Sequence, residues 1–489
     1  MAESTSLCSV PNAERLAATT GPRSITIRTG LLAGALFLGA ALTVVQMLPQ
    51  AIWRGGLPDL VVVGGALWFN ARWFPAGPLC WPNIFLVILT LFHLGYYVVV
   101  ANGLTAPLPF MPDLQHAADI NLALQLFATS CLAFEGGAIA YLAIGRPSQS
   151  LSTRDHRRAE RIFFKLGVAV TAASFGLFVV YIDQLGGLSA IARVDYTKYI
   201  TFLQSHDPRF AALSIDYLPA GLLLMYAFLD KDSRQHRKRV IAIILPFMGF
   251  TLWLLWVGDR GAALLYWLAL AYVHNLRGGR ISGRKLALMA SVILLLVGPV
   301  RAIRNLTPSA RVRGLATASY NPVNGVSEMG LTFRPYLALI QQRANGTSLG
   351  SKPYVSALAH VVPNIGSLNS QNRPFRTTLY VSYLVDPVSA AAGIGLGGSA
   401  IGEPFLAFGL VGLVTVCAAL GCLVAVLECR AAHGRSPATL ALIPLVFYPL
   451  NFYVRDDIYG VTRPVIWGCI AVGAVKLILW WSSREAGHA

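Results

Sequence analysis

Residues 230–261 read DKDSRQHRKRVIAIILPFMGFTLWLLWVGDRG. The stretch opens on a basic cluster, Arg234, Arg237, Lys238 and Arg239. It continues through residues 240–257 without a single charge, then turns through Asp259 and Arg260 into the next apolar run. At 1.5 Å per residue, such a segment is about 27 Å long as a helix, close to the thickness of a bilayer's hydrocarbon core. It therefore reads as a membrane span. Its basic end belongs to the cytoplasmic side and GDRG to the opposite side.

The whole chain follows this pattern. It has 489 residues, 55% of them hydrophobic and 12% charged. A soluble domain carries roughly 25% charged residues, so the composition excludes a soluble globular protein. Twelve spans are predicted, over residues 30–48, 57–73, 84–101, 119–144, 163–183, 211–229, 240–257, 261–276, 286–301, 403–427, 438–453 and 464–482. The first is not a cleaved signal, because its apolar run is too long and a polar tail precedes it. The expected fold is an all-α polytopic membrane protein with one large outer loop containing short helices. It divides into a cytoplasmic tail (1–29), spans one to nine (30–301), the large loop (302–402), spans ten to twelve (403–482) and a second cytoplasmic tail (483–489).

Charge supports this threading. The loop 145–162 carries Arg146, Arg154, Arg157, Arg158 and Arg161, and residues 277–285 read RGGRISGRK, whereas 102–118 contains neither Lys nor Arg. Both termini fall inside. The net charge of +17 would suggest a nucleic-acid partner in a soluble protein; here the positive-inside bias absorbs much of it, and no nucleic acid is expected. The large outer loop is basic as well, and a basic outer surface asks for an anionic partner or for anionic lipid headgroups. None of the seven cysteines falls in an outer loop, and no metal-binding spacing occurs, so no metal is expected. Within the large loop, residues 334–342 have a period near 3.6 and are expected to lie as an amphipathic helix at the interface. Inside the spans, Glu135 and His93 are expected to pair.

Several charges converge on one predicted membrane level. Residues 452–463 read FYVRDDIYGVTR, with Arg455, Asp456, Asp457 and Arg463 in a hairpin between spans. GDRG contributes Asp259 and Arg260, span nine ends in Arg301 and Arg304, and span ten starts at Glu403. One reading is a set of interfacial anchors. The other is a site in which arginines grip a phosphate or pyrophosphate while an acid acts as general base. The glycines of GIGLGGSAIG, residues 393–402, would allow a backbone anion cradle there.

These motifs together resemble the bacterial O-antigen polymerases, the Wzy-type oligosaccharide repeat-unit polymerases. The resemblance covers residues 160–480. It rests on GGLSAI (186–191), GDRG (258–261), RAIRN (301–305), SEMGLTFRPY (327–336), GGSAIGEPFLAFGLVG (397–412) and VRDDIYGVTR (454–463). An Arg-x10-Gly pattern carried by some members is absent from the large loop. The resemblance implies a multi-pass enzyme of the bacterial inner membrane, similar in architecture to integral-membrane glycosyltransferases of the GT-C kind, with a periplasmic site. It implies donor and acceptor glycans linked to undecaprenyl pyrophosphate and no cofactor. A chain-length regulator and a flippase are the expected protein partners. On this reading Glu328, with Asp457 and Glu403 as runners-up, is the catalytic base. Arg260, Arg301, Arg304, Arg334 and Arg455 hold the pyrophosphate. Two rival readings stay open: an O-antigen ligase, for which His360 is the only loop histidine, and a lipid-linked sugar transporter.

Overall fold

The computed structural model describes residues 56–104, 117–144, 153–184, 186–187, 209–230, 234–279, 281–304, 306, 308–317, 320–361, 375–391, 395–432 and 436–485. Among them there is no strand. Eight helices lead to the large loop: α1 (Leu57–Trp73), α2 (Trp81–Ala101), α3 (Ala117–Ile144), α4 (Thr153–Gln184), α5 (Arg209–Ala227), α6 (His236–Val257), α7 (Arg260–Leu276) and α8 (Gly283–Arg304). Six short helices form the loop: α9 (Pro308–Thr317), α10 (Pro322–Met329), α11 (Phe333–Ala344), α12 (Lys352–Val361), α13 (Thr377–Val385) and α14 (Pro387–Ala391). Three long helices close the chain: α15 (Gly402–Ala432), α16 (Pro437–Phe452) and α17 (Ile458–Glu485).

Seven of these, α2, α3, α4, α6, α15, α16 and α17, are long and apolar enough to cross a membrane. The helices α1, α5, α7 and α8 also lie where the sequence predicts spans. The first predicted span, 30–48, falls outside the described residues. The largest boundary difference is at α4, which begins at Thr153, ten residues before its predicted span. Residues 153–162 contain no glycine or proline, and His156 pairs with Glu160 one turn later at 3.4 Å. The helix therefore continues through the basic segment rather than stopping at the apolar boundary.

Small residues set the crossing of α3 and α15. A Cβ added at Gly137 of α3 would lie 1.9 Å from the Ala418 carbonyl, and one at Gly421 of α15 would lie 1.8 Å from that of Phe134. Only hydrogen fits at either point, so the two backbones touch. Aromatic rings cluster in the core: Tyr272 stacks on Phe447 and Trp81 is tilted against both, with centroids 5.0–5.8 Å apart.

Two expectations are corrected here. Glu135 and His93 do not pair. Glu135 accepts from the Asn70 amide at 2.9 Å, while His93 Nε2 meets the Ser399 hydroxyl at 2.8 Å. Each found a neutral partner on a third helix or on the loop, which avoids burying an ion pair. The helix at 334–342 forms as α11, but it is inserted into the bundle rather than laid on it. Phe333, Tyr336, Leu339 and Ile340 are each buried completely, and the Tyr336 hydroxyl donates to the Ala123 carbonyl of α3 at 2.7 Å. Its apolar stripe is covered by helices instead of lipid. The sequence reading also overlooked Asp59 and Glu428, both fully buried. Glu428 accepts from the Ala76 and Trp81 amides and from the Tyr272 hydroxyl.

Candidate functional site

Arg260 is the first residue of α7. Gly258, in the left-handed region at φ 101°, ends α6, and the Asp259 carboxylate caps α7 by accepting from the Ala262 amide at 3.3 Å. This tight reversal fixes where Arg260 leaves the backbone. Its guanidinium donates through Nη1 to the Val297 carbonyl of α8 at 3.1 Å and through Nη2 to the Glu328 carboxylate.

Glu328 is carried into place by α10, which is wedged between α2 and α8. A Cβ at Gly325 would lie 2.2 Å from the Leu294 carbonyl, and one at Gly330, just past the helix, 1.8 Å from the Tyr96 nitrogen. Backbone seats directly on backbone, and Glu328 is left only 5% exposed. A buried ion pair of this kind therefore joins three elements, α7, α8 and α10.

Arg455 reaches the same corner. Its guanidinium carbon lies 5.5 Å from the ring centroids of both Phe92 and Phe452, and its Nη1 lies 3.3 Å from the point a Cβ at Gly261 would occupy. Arg260 and Arg455 thus stand at the start of α7, with an aromatic wall behind the second.

The residues after Arg455 build a second cluster. Asp457 caps α17: its Oδ1 accepts from the Gly460 amide at 3.1 Å, and its Oδ2 accepts from the Thr378 amide at 3.0 Å and hydroxyl at 2.8 Å. Glu403, fully buried, accepts from the Thr377 hydroxyl and from the Ile458 amide, both at 3.0 Å. Two carboxylates therefore bind α13, α15 and α17 together. Asp456 differs. Its side chain is 15% exposed, against 1% for Asp457, and Arg376 lies between the two acids, Nη2 3.6 Å from Asp456 Oδ1 and Nε 3.6 Å from Asp457 Oδ2. Burial, and then the charge of Asp457, raise the Asp456 pKa from 3.8 to about 7, against the lowering pull of Arg376. The Arg376 guanidinium also lies 5.1 Å over the Tyr459 ring, which stacks on His360 at 4.0 Å.

The sequence candidates thus separate. Arg260, Arg455 and Glu328 come together; Glu403 and Asp457 come together beside them. Arg334 goes elsewhere, donating at 3.3 Å to the Val385 carbonyl at the end of α13. The side chains of Arg301 and Arg304 lie outside the described residues. In the glycine-rich stretch the amides of Leu396, Gly398, Ala400, Ile401 and Gly402 already have acceptors within the protein. Gly398 N donates to the Arg455 carbonyl at 2.8 Å, and the Ile401 and Gly402 amides go to the Ser399 hydroxyl. Its glycines serve close approach: a Cβ at Gly398 would lie 2.6 Å from the Asp456 carbonyl. Asp456 and Arg376 counted in the sequence only as charges, with no role assigned to either. The signal was there for Asp456, since of two adjacent acids one caps a helix and the other is left to another partner. Among the described residues no group of His, Cys, Asp and Glu could hold a metal ion.

No curated protein and no solved structure matches the chain. The family model of the O-antigen polysaccharide polymerase Wzy matches residues 80–483, from the start of α2 to the end of α17. That span includes every residue of both clusters, and the chain belongs to the O-antigen polysaccharide polymerase Wzy family.

Proposed function

We propose that this membrane polymerase joins repeat units carried on undecaprenyl pyrophosphate, at the periplasmic face of the inner membrane, releasing undecaprenyl pyrophosphate. The observation that carries the reading is the buried Arg260–Glu328 pair with Arg455 beside it. In the reaction, an acceptor sugar hydroxyl forms the new bond to the donor's anomeric carbon. The bond from that carbon to the pyrophosphate oxygen breaks, and its electron pair leaves with the pyrophosphate. Negative charge grows on the leaving group, which is where two guanidinium groups stabilise a transition state. An incoming pyrophosphate draws Arg260 away from Glu328. The carboxylate is then available to take the hydroxyl proton, so base and leaving-group site are engaged by the same event. Glu403 and Asp457 act as positioning residues, since their oxygens hold helix ends and threonines. Arg301 and Arg304, at the end of α8, are proposed as further contacts to the pyrophosphate; Arg334 holds the loop.

A second reading makes Asp456 the base. A pKa near 7 and partial exposure favour it. The test is extension of purified lipid-linked repeat units by detergent-solubilised enzyme. Glu328→Gln should lower the rate per mole of folded enzyme by roughly 100-fold. Extension near the wild-type rate would remove Glu328 from the role and leave Asp456→Asn as the next variant. A chain-length regulator and a flippase remain the proposed partners.

A further inference from the structure

A cavity of about 540 Å³ lies among α1, α2, α7 and α8. Its upper end is formed by Phe92, Gly261 and Met329. Each of these adjoins the candidate site: Phe92 carries the Arg455 guanidinium, Gly261 follows Arg260, and Met329 follows Glu328. From there the cavity descends along α7 to Leu268 and along α8 from Leu294 to Leu286. Eight residues of helix correspond to about 12 Å. The cavity continues to Leu79, before the start of α2. Asn83 is the one polar side chain on its wall, and its amide is already tied to the Leu67 and Pro78 carbonyls, each at 3.2 Å. Val87 and Trp68, 42% and 72% exposed, stand at its rim, so it opens sideways between helices. The shape is that of an apolar channel with cations at one end.

We propose that this channel holds the polyprenyl chain of the donor, and of the donor alone. The assignment rests on the polymerase reading above. The bond that breaks joins the donor's sugar directly to its pyrophosphate, so the donor's pyrophosphate must lie at Arg260 and Arg455. The carbon chain then starts where Phe92, Gly261 and Met329 open the channel. The acceptor's attacking hydroxyl lies a full repeat unit away from its own pyrophosphate. Its lipid is therefore anchored at a distance and cannot enter the same channel. An apolar wall of this length offers a glycan no hydrogen bonds, whereas it takes a hydrocarbon chain out of lipid without stranding any polar group.

Two measurements test this. In the first, purified enzyme extends chains from donors with identical glycan and pyrophosphate, carrying either a full polyprenyl or a farnesyl chain. Val87→Trp and Ala290→Trp narrow the channel from its exposed rim. They should raise KM for the polyprenyl donor at least tenfold relative to the farnesyl donor, and leave the dependence on acceptor chain length unchanged. Equal effects on both donors, or an effect that follows the acceptor's lipid, would overturn the assignment. In the second, polyprenyl pyrophosphate with a photoreactive terminal isoprene is crosslinked to the wild-type enzyme. Label in 81–101 and 283–304, competed by unlabelled polyprenyl pyrophosphate, supports the channel. Label there that only a phospholipid competes, or crosslinking of Val87→Cys to residues 30–48 of the same chain, overturns it. This second readout needs no turnover. An enzyme that labels correctly yet makes no polymer would sink the polymerase reading and keep the lipid site.

Discussion

Arg260 opens α7 and Glu328 nearly closes α10, sixty-eight positions later, yet their side chains form one buried ion pair. The Arg260 and Glu328 side chains are 12% and 3% exposed, and the Val297 carbonyl is the third member of the group. Removing one partner of a buried pair leaves a charge without compensation, whereas removing both leaves only a cavity.

That asymmetry is measurable. Arg260→Gln and Glu328→Gln should each lower stability, the former by about 3 kcal/mol because it strands a buried carboxylate. The double variant should recover part of the loss. Thermal unfolding in detergent, read by tryptophan fluorescence, gives the coupling. Additive losses would mean the two groups do not interact.

Glu403 and Asp457 are expected to behave differently from Glu328. Asp457→Ala removes a helix cap and leaves the Thr378 amide without its acceptor, a loss of about 2 kcal/mol. Its main effect should be a lower melting temperature, with KM for the donor nearly unchanged. An unchanged melting temperature with lost turnover would return Asp457 to the list of catalytic residues.

Asp456 carries a pH signature. Its pKa is raised from 3.8 to about 7, first by burial and then by Asp457. The folded chain therefore keeps a proton between those values that the unfolded chain has released. Stability falls with rising pH wherever the folded state binds more protons, so this residue weakens the fold from about pH 4 to pH 7. Asp456→Asn should flatten that slope in melting curves taken at successive pH values. A slope identical to wild type would mean that another group titrates.

The seat of α10 predicts a glycine contrast. Gly330→Ala drives a methyl group into the α2 backbone at Tyr96, whereas a Cβ at Gly473 of α17 meets nothing within 4 Å. The first should cost stability and reduce extension by displacing Glu328; the second should be neutral or slightly stabilising. Parallel yields and melting temperatures for both variants would show that α10 can shift without consequence.

Sidedness has its own test. In a chain whose native cysteines are serine, Asn345→Cys and Tyr320→Cys should react with an impermeant thiol reagent applied to intact spheroplasts, and Lys238→Cys should react only after permeabilisation. The opposite pattern would put Arg260, Glu328 and the large loop on the cytoplasmic face.

Hydropathy alone located a helix for each predicted span that falls among the described residues, and seven of these helices are long and apolar enough to cross a membrane, because crossing a bilayer demands a long uncharged helix and that demand is local. The loop helix at Phe333–Ala344 was legible in the same way, from the period near 3.6 of residues 334–342. The arginines and acids were also visible as a set, since charge at a membrane level stands out against an apolar background. Which of them meet was not visible. Arg334 is six residues from Glu328 in sequence, yet it holds a helix end at Val385, while Arg260 arrives from another part of the chain to take the carboxylate.

The sequence by itself determined an all-helical membrane protein, its basic loops and the inventory of charges. Only the tertiary structure decided that Arg260 and Arg455 stand together with Glu328, that Glu403 and Asp457 hold helices, and that Asp456 faces Arg376. The physical reason is that those pairings depend on how closely helices approach. The approach is set by glycines such as Gly325, Gly330 and Gly398 touching backbones far away in the chain. A glycine's lack of a side chain is legible in the sequence; the atom that occupies the vacated space is not.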